Sequence, residues 1–350
     1  MKADEQIYSM RTLKQQEMIN RNLWNDAYTF KINNNIRGQS KSIFILNSNK
    51  KIYIAKYFNY TEDIDIKITD SEWKNINSIN DYLNYLEENF DVQIEEISEG
   101  LALKKRCFTR YVIASHDTND VFPNVYFSIE ETNFNCSIGG ILLEEAINGV
   151  TLEDYLRNLK CDKYNKVIEC ERFLKIISKK MCEYFSKDFI HRDLSPDNIM
   201  IIENNNTKDY KIIDPGVVKI VSRNSTKGRV KFCKDSYSSP EQYLGYGSNV
   251  NFTSDIYILG IVAYEFVTGI NLINKFYRSD ILPHNEINTM LDRTIEDWFY
   301  ENIDDNPSID RLYTIIKKML QCKKEDRFKT IESFASVIET LNIEGDDVND

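Results

Sequence analysis

The feature that most constrains this chain is the segment 191–201, which reads HRDLSPDNIMI. It places a carboxylate, Asp193, and a carboxamide, Asn198, five positions apart and directly before an apolar run rich in isoleucine. A short apolar run of β-branched residues favours a buried strand. The segment therefore predicts a loop that carries two oxygen-donor side chains and leads into a strand.

A second carboxylate follows another strand-like run. Ile212 and Ile213 lead to Asp214, and Pro215 comes next. An apolar run that reaches an Asp and then a turn residue is typical of a short strand that ends in a loop. Asn198 and Asp214 both offer hard oxygen ligands, which suit Mg²⁺.

These segments resemble the catalytic loop H-R-D-L-x-x-x-N and the Asp-Phe-Gly motif of eukaryotic-type protein kinases. Ser239-Pro240-Glu241, Asp255 before an apolar helix, and the late Arg327 follow in the order of that family. The resemblance implies that Arg327 pairs with the carboxylate of Glu241. The chain is also similar to a bacterial serine/threonine subgroup with H-R-D-[IL]-S-P-x-N. The resemblance implies an α+β, bilobal protein-kinase-like fold, with a small β-rich N-lobe that has one main helix and a larger, mostly helical C-lobe.

The resemblance also implies roles for the motif residues. In the family the loop Asp orients the substrate hydroxyl and accepts its proton, while the Asn and the second Asp hold Mg²⁺ on ATP. We therefore expect Asp193 to be catalytic and Asn198 and Asp214 to be metal ligands, with ATP and Mg²⁺ as cofactors. The expected reaction is phosphoryl transfer to a protein Ser/Thr hydroxyl, with autophosphorylation of the activation segment. His191 is expected to be a packed scaffold residue.

Lys56 ends a strand-like run and matches the family's phosphate-binding lysine, which pairs with a helix glutamate. We expect Glu72 to be this partner, and Glu87 is the alternative. The segment 144–152 resembles the hinge between the lobes, and Thr151 is expected to cap the helix that follows. From this segment, Glu145 and Ile147 are expected to contact the nucleotide.

The glycine-rich loop departs from the family pattern, because only Gly38 of its three glycines is present. Side chains in such a loop keep its backbone N–H groups further from the phosphates. Lys41 or Arg37 could supply positive charge instead, and a plain β-turn with weak nucleotide contact is the alternative.

Two further departures concern the C-lobe. Ser195 stands where most Ser/Thr kinases have a lysine, and we hypothesise that Lys234 supplies the γ-phosphate cation that Ser195 cannot. Pro215 replaces the Phe of the second motif and removes a backbone N–H. These departures leave two alternatives open, a pseudokinase or nucleotide-binding scaffold and, less favoured, a small-molecule kinase.

The expected domains are an N-terminal helical extension at 1–27, a kinase N-lobe at 28–147, a C-lobe at 148–342 and an acidic tail at 343–350. Local patterns predict strands at 28–30, 43–46, 51–56, 101–115, 125–129 and 138–143, with a hairpin turn at 47–50. A helix is expected from Asp70, with Ile76, Ile79, Leu83 and Leu86 on one face. An inserted hairpin or loop is expected at 115–135.

Composition restricts the partners. The net charge of −11 argues against general nucleic-acid binding. The seven scattered cysteines suit reduced thiols in a cytoplasm. The most apolar stretch, 256–270, is about fifteen residues long and contains Glu265, so no membrane span is expected. We expect a cytoplasmic enzyme with a protein substrate, and the sequence leaves its oligomeric state open.

Overall fold

A computed structural model of the chain describes residues 30–32, 41–48, 51–118, 121–133, 136–204, 207–215, 219–220, 234, 236–244, 249–273, 293 and 307–341. The predicted N-terminal extension, the acidic tail, Gly38 and most of the activation segment lie outside the described residues. The chain forms two compact units. The first comprises Met1–His116 and Pro123–Ile147, and the second comprises Asp117–Phe122 and Asn148–Asp350. The functional labels of the predicted domains stay a prediction.

The first unit contains a five-stranded antiparallel sheet. Its strands are β1 (Phe30–Ile32), β2 (Lys41–Ser48), β3 (Lys51–Asn59), β4 (Val125–Asn133) and β5 (Ile138–Glu145). Their order in the sheet is β1-β2-β3-β5-β4. Ser48 pairs with Lys51, which confirms the predicted hairpin turn between β2 and β3.

The helix predicted from Asp70 is two helices, α1 (Asp70–Trp73) and α2 (Ile79–Asn89). Ser78 separates them, because its side chain accepts a hydrogen bond from the backbone N–H of Asp81 and so caps the N-terminus of α2. The predicted apolar face is therefore shared between α2 and the segment before it, and Ile76 lies outside both helices.

The prediction of strand structure at 101–115 is wrong. These residues belong to α3 (Ile94–Asp117), a helix of 24 residues. The buried Leu101, Phe108, Tyr111 and Ala114 recur at helical spacing, so they form one face. The ring of Phe108 packs edge-on against Phe58 of β3 with the centroids 5.2 Å apart. Apolar β-branched residues near the helix end look like a strand locally, but packing on the sheet decides the outcome.

The predicted insertion at 115–135 is also wrong in part. Nine of its residues, Val125–Asn133, form β4, which pairs with β5 and completes the sheet. The strands predicted at 125–129 and 138–143 are confirmed, and both are longer than the sequence indicated.

The second unit is mostly helical. Its helices are α4 (Leu152–Asn158), α5 (Lys163–Ser186), α6 (Pro240–Tyr243), α7 (Phe252–Thr268), α8 (Pro307–Met319) and α9 (Ile331–Glu339). Thr151 caps α4 as predicted, since its hydroxyl accepts from the N–H of Asp154. Nearly every residue of α7 is buried, so this apolar helix is the centre of the unit. Within the part of the chain that the structure describes, no helix is long and apolar enough to cross a membrane.

Short strands in the second unit carry the loop of the first motif. They are β6 (Val150–Thr151), β7 (Phe189–Ile190), β8 (Ile199–Asn204), β9 (Thr207–Ile212) and β10 (Lys219–Ile220). β6, β8 and β9 form one sheet, and β7 pairs with β10. The motif loop runs from the end of β7 to the start of β8. The α+β class and the division into a sheet-containing and a helical unit are therefore those that the sequence predicts.

Candidate active site

The loop between β7 and β8 holds Asp193 and Asn198 together. Both residues are buried. The amide nitrogen Nδ2 of Asn198 donates to the backbone carbonyl of Asp193 at 2.8 Å and to its carboxylate Oδ2 at 3.2 Å. One short helical turn, Pro196–Asn198, spans the interval between them. The five-residue spacing in the sequence thus brings the two side chains into direct contact.

Asp255, in the first turn of α7, holds the start of this loop. Its Oδ2 accepts the backbone N–H of His191 at 2.6 Å, and its Oδ1 accepts that of Arg192 at 2.8 Å. The hydroxyl of Tyr184 donates to Oδ2 at 3.0 Å. Complete burial raises the pKa of Asp255 to about 6. Arg192 has a φ of +68°, a conformation that L-residues rarely adopt and that costs about 1–3 kcal/mol. The bonds to Asp255 help to offset that strain.

His191, the first residue of the loop between β7 and β8, is fully buried. Burial lowers its pKa to about 4, although the nearby negative charge of Asp214 acts in the opposite direction. The imidazole is therefore neutral at neutral pH. Its Nδ1 accepts the backbone N–H of Asp193 at 3.3 Å. This placement suits a residue that shapes the loop and does not suit one that reaches a substrate.

The β8–β9 hairpin brings Asn198 and Asp214 to the same end of the sheet. Ile199 pairs with Ile212, and the N–H of Ile213 donates to the carbonyl of Asn198 at 2.8 Å. Asp214 follows directly and has a φ of +61°. Strained backbone of this kind concentrates at functional sites. Asn198 and Asp214 thus terminate adjacent strands, as the two motifs predicted separately.

The donor atoms at this end of the hairpin fit a magnesium ion. The nitrogen of the Asn198 amide is engaged by Asp193, which leaves its oxygen Oδ1 as the ligand atom, and Asp214 supplies a carboxylate. Mg²⁺ typically takes one or two carboxylates together with substrate phosphates and water. Such a site needs few protein ligands. No group of three or more His, Cys, Asp or Glu suited to a metal ion occurs among the described residues.

Lys234 lies against the loop between β7 and β8. Its Nζ donates to Ser195 Oγ at 2.8 Å and to Asp197 Oδ2 at 2.6 Å. The sequence linked Lys234 with Ser195, and the structure brings them into contact. The contact with Asp197 was missed, because Asp197 occupies a variable position of the motif and carries no local signal. The Lys234–Asp197 pair is partly exposed and contributes about 0–1 kcal/mol, so it orients the lysine more than it stabilises the fold.

The predicted pairing of Glu241 with Arg327 is confirmed. Two guanidinium nitrogens of Arg327 donate to the two carboxylate oxygens of Glu241 at 2.9 and 3.1 Å. Burial alone would raise the pKa of Glu241, but Arg327 holds it below its ordinary value. Arg327 also donates to three backbone carbonyls and packs on the ring of Tyr257 at 4.6 Å. This network anchors α6, which follows Lys234 in the chain.

In the first unit, Lys56 bonds to Glu144 and to Tyr111, and these two residues also bond to each other. Lys56 Nζ lies 2.6 Å from Glu144 Oε1 and donates to the Tyr111 hydroxyl at 2.7 Å. The same hydroxyl donates to Glu144 Oε2 at 2.5 Å. Lys56 is 5% exposed and Glu144 is 3% exposed, so the ion pair is shielded from water.

The prediction that Glu72 is the partner of Lys56 is wrong, since Lys56 pairs with Glu144. Glu72 is only partly exposed on α1, where its carboxylate accepts the backbone N–H of Thr69 at 2.8 Å and caps its own helix. Hydrogen bonds from Thr69 lower the pKa of Glu72. The alternative, Glu87, is exposed on α2. Glu144 was missed because it lies in the hinge-like segment, and Tyr111 because its segment looked like a strand.

The remaining predicted nucleotide contacts are only partly described. Lys41 begins β2, and nothing is described of its side chain. The side chain of Glu145 accepts from Asn124 Nδ2 at 2.9 Å and fixes the end of β5. Ile147 follows two residues later, at the end of the first unit. Their contacts with a nucleotide stay predictions.

Comparison with known proteins identifies a family for most of these elements. The model of the protein kinase domain matches residues 124–337. Among curated relatives, the tyrosine-protein kinase MasK of Myxococcus xanthus is 29% identical over 163 residues, which cover 43% of this chain and 22% of that protein. The serine/threonine-protein kinase Pkn1 of Myxococcus xanthus is 34% identical over 87 residues, covering 24% of this chain and 12% of that protein.

A third relative is the probable serine/threonine-protein kinase PknB of Lactococcus lactis. It is 39% identical over 85 residues, which cover 24% of this chain and 13% of that protein. The chain therefore spans less than a quarter of the length of these three relatives.

Proposed function

The chain belongs to the protein kinase family, and from this premise we propose that it transfers the γ-phosphoryl group of ATP to a serine or threonine hydroxyl of a protein. The observation that carries the proposal is the buried Asp193, held by Asn198 at the end of a hairpin that also bears Asp214. Serine or threonine is favoured over tyrosine by the H-R-D-L-S-P-x-N pattern and by the relatives named serine/threonine kinases.

Asp193 acts on the acceptor hydroxyl. The hydroxyl oxygen forms a bond to the γ-phosphorus, the bond from that phosphorus to the bridging β–γ oxygen breaks, and ADP leaves. The proton of the hydroxyl passes to the Asp193 carboxylate and then to solvent. Because Asn198 holds Oδ2 and the loop backbone, the carboxylate keeps one orientation.

Asn198 and Asp214 would hold Mg²⁺. When bound, this ion neutralises charge on the triphosphate. The neutral amide and the single carboxylate leave room in the ion's coordination for phosphate oxygens.

Two lysines complete the proposed reaction. Lys56 is proposed to contact the α and β phosphates, and Lys234 the γ phosphate. Ser195 and Asp197 hold the Lys234 ammonium beside the catalytic loop, which supports this role. Lys234 would thereby supply the positive charge that the family usually places at the position of Ser195.

Autophosphorylation of the activation segment is part of the proposal. Its candidate acceptors in the chain are Ser222, Ser225, Thr226, Ser236 and Ser238. Of the two acceptors that the structure describes, Ser238 is buried and Ser236 is partly exposed, so Ser236 is the better acceptor. Phosphate on any of them would meet a basic environment, because the same segment carries several lysines and arginines.

The test compares the wild-type chain with Asp193→Ala, using labelled ATP, Mg²⁺ and a mixed serine/threonine acceptor protein. We expect Asp193→Ala to lose about 10²–10⁴-fold in transfer rate, the range for a missing general base. Chelation of Mg²⁺ should also stop transfer. Phosphosite mapping should place the label on serine or threonine. Equal labelling of both chains would contradict the proposed role of Asp193.

The second candidate is a nucleotide-binding scaffold without transfer. Ser195 and Pro215 in place of the family's Lys and Phe favour it. Under this alternative, the wild type would bind Mg²⁺–ATP and yet transfer no phosphate to itself or to the acceptor. The same labelling experiment, combined with a nucleotide titration, separates the two functions.

A further inference from the structure

The pairing of β3 with β5 brings Lys56 and Glu144 to one face of the sheet. In the antiparallel register Ile54 lies opposite Glu144, and Lys56 lies opposite Leu142. Residues two apart on a strand point to the same face, so Lys56 is the diagonal neighbour of Glu144. Long side chains reach across such a diagonal. The ion pair at 2.6 Å is therefore a direct consequence of strand register.

Tyr111 of α3 completes the group from the other side. Its hydroxyl accepts from Lys56 and donates to Glu144, so one group satisfies both charges. A buried ion pair is stable only when further hydrogen bonds offset its desolvation. The Tyr111 ring is fully buried and packs edge-on against Phe58 of β3 at 5.5 Å, which fixes the hydroxyl in place.

We propose that Glu144, assisted by Tyr111, is the positioning residue that holds Lys56 for the nucleotide phosphates. This inference rests on the proposed function. In protein kinases in general, the phosphate-binding lysine forms its ion pair with a glutamate on a helix. The placement of that helix controls whether the ion pair forms. Here both charges lie on adjacent strands of one sheet. The ion pair therefore forms independently of where α3 lies, and only the Tyr111 hydroxyl depends on the helix.

The proposal predicts how conservative variants rank. Glu144→Gln keeps the shape but removes the charge, and the loss of a charged hydrogen-bond partner corresponds to about a 10- to 100-fold decrease in kcat/KM for ATP. Most of that decrease should lie in KM. Glu144→Asp keeps the charge and should retain more activity than Glu144→Gln. Tyr111→Phe leaves the ion pair intact and should lower kcat/KM by only about 3- to 10-fold.

The matched control is Glu131→Gln. Glu131 also lies in the sheet of the first unit and forms an ion pair, with Lys105 of α3. It bonds to Lys105 and to the backbone N–H of Ile79, which lie outside the group formed by Lys56, Glu144 and Tyr111, so this variant should keep the wild-type KM for ATP. Circular dichroism and thermal unfolding establish that each variant is folded before its kinetics are compared.

A second readout shows whether Glu144 acts through Lys56. Mg²⁺–ATP affinity is measured by titration for wild type, Glu144→Gln, Lys56→Met and the double variant. If Glu144 positions Lys56, the Glu144→Gln change weakens binding in the wild-type background and has no further effect beside Lys56→Met. Equal weakening in both backgrounds would indicate a structural role and overturn the inference.

The outcomes distinguish this inference from the proposed function. If the wild type transfers phosphate and Glu144→Gln matches it in KM and affinity, the inference fails and the function stands. If the wild type binds Mg²⁺–ATP without transfer, and Glu144→Gln weakens binding only when Lys56 is present, the function fails and the inference stands. If the wild type neither binds nor transfers, both are overturned.

Discussion

At the scale of single residues, two fully buried groups, His191 in the loop between β7 and β8 and Asp255 in α7, have pKa values displaced in opposite directions. Burial lowers the pKa of His191 from 6.5 to about 4 and raises that of Asp255 from 3.8 to about 6. Each group therefore favours its neutral form. The negative charge of Asp214 acts to raise the pKa of the imidazole, and the positive charges of Lys234 and Arg192 act to lower it. Because the two groups titrate over the same range, their effects on stability oppose each other.

The first prediction concerns the pH dependence of stability. In the unfolded chain His191 becomes protonated as the pH falls below 6.5, whereas in the folded chain it stays neutral down to about pH 4. The free energy of unfolding therefore falls as the pH decreases through this range, by about 3 kcal/mol from this group. His191→Gln should remove that fall. Urea unfolding of both proteins between pH 4 and 7.5 measures the difference.

Asp255→Asn is the matched comparison, with the opposite sign. The folded chain keeps a proton on Asp255 up to about pH 6, whereas the unfolded chain loses it near 3.8. The contribution of Asp255 to the free energy of unfolding thus decreases as the pH rises from about 4 to about 6. Asp255→Asn should make stability rise more steeply with pH. Parallel profiles for the wild type and both variants would refute the assigned shifts.

The second prediction concerns the buried Lys56–Glu144 pair. Lys56→Met leaves the Glu144 carboxylate buried without its counter-charge, and we expect a loss of about 3–5 kcal/mol in the free energy of unfolding. Adding Glu144→Gln should recover a large part of this loss, because no uncompensated charge remains. Denaturant unfolding of the two single variants and the double variant tests this. A double variant less stable than Lys56→Met would contradict the coupling.

At the scale of elements, the sequence predicted local features well and long-range partners poorly. The turn between β2 and β3 and the Thr151 cap depend on neighbouring residues, and the structure confirms both. Assignment of 101–115 to strands failed because the helical spacing of buried residues in α3 is seen only once the sheet is in place. Glu144 was not found as the partner of Lys56, since strand register determines that contact and local composition does not.

The contact between Asp193 and Asn198 was predictable because both residues belong to one short segment of the sequence. Asp193 and Asn198 meet through a single short turn, and a fixed spacing in the sequence is enough to indicate it. The contact of Lys234 with Ser195 joins residues 39 positions apart, and it was anticipated only from the family resemblance. Asp197, which also contacts Lys234, was indicated neither by the spacing in the sequence nor by the family resemblance.

The third prediction concerns α6, a helix of four residues. So short a helix is not stable alone and depends on tertiary contacts. Arg327→Ala removes the guanidinium that Glu241 and three carbonyls share, so we expect a loss of about 3–5 kcal/mol in the free energy of unfolding. Arg327→Lys keeps the charge but not the fork geometry and should be intermediate.

Arg157→Ala is the control for this prediction. Arg157 forms ion pairs with Glu153 and Asp154, but it is 65% exposed. Exposed pairs contribute about 0–1 kcal/mol, so this variant should unfold close to the wild type. If Arg157→Ala and Arg327→Ala lowered the free energy of unfolding by similar amounts, burial of the Arg327 network would not explain the destabilisation by Arg327→Ala.

At the scale of the whole molecule, the two compact units carry different parts of the proposed chemistry. The first contains the Lys56 group on its sheet, and the second contains the Asp193 loop and the hairpin that ends at Asp214. The family model covers 124–337, so it includes all of the second set and leaves out most of the first unit. Departures from the family pattern occur in both units: the partner of Lys56 differs in the first, and Ser195 and Pro215 differ in the second.

The last prediction concerns the effect of ligand binding on the stability of the whole molecule. A ligand that binds only the folded chain raises the free energy of unfolding, by about 2.7 kcal/mol when its concentration is a hundred times its Kd. If Asp214 holds Mg²⁺, ATP with Mg²⁺ should raise the melting temperature of the wild type more than ATP with a chelator. Asp214→Asn should lose this Mg²⁺-dependent increment. Asp193→Ala should keep it, because Asp193 is proposed to act on the hydroxyl and not on the metal. Retention of the increment by Asp214→Asn, or its loss in a folded Asp193→Ala, would reverse the roles assigned to the two carboxylates.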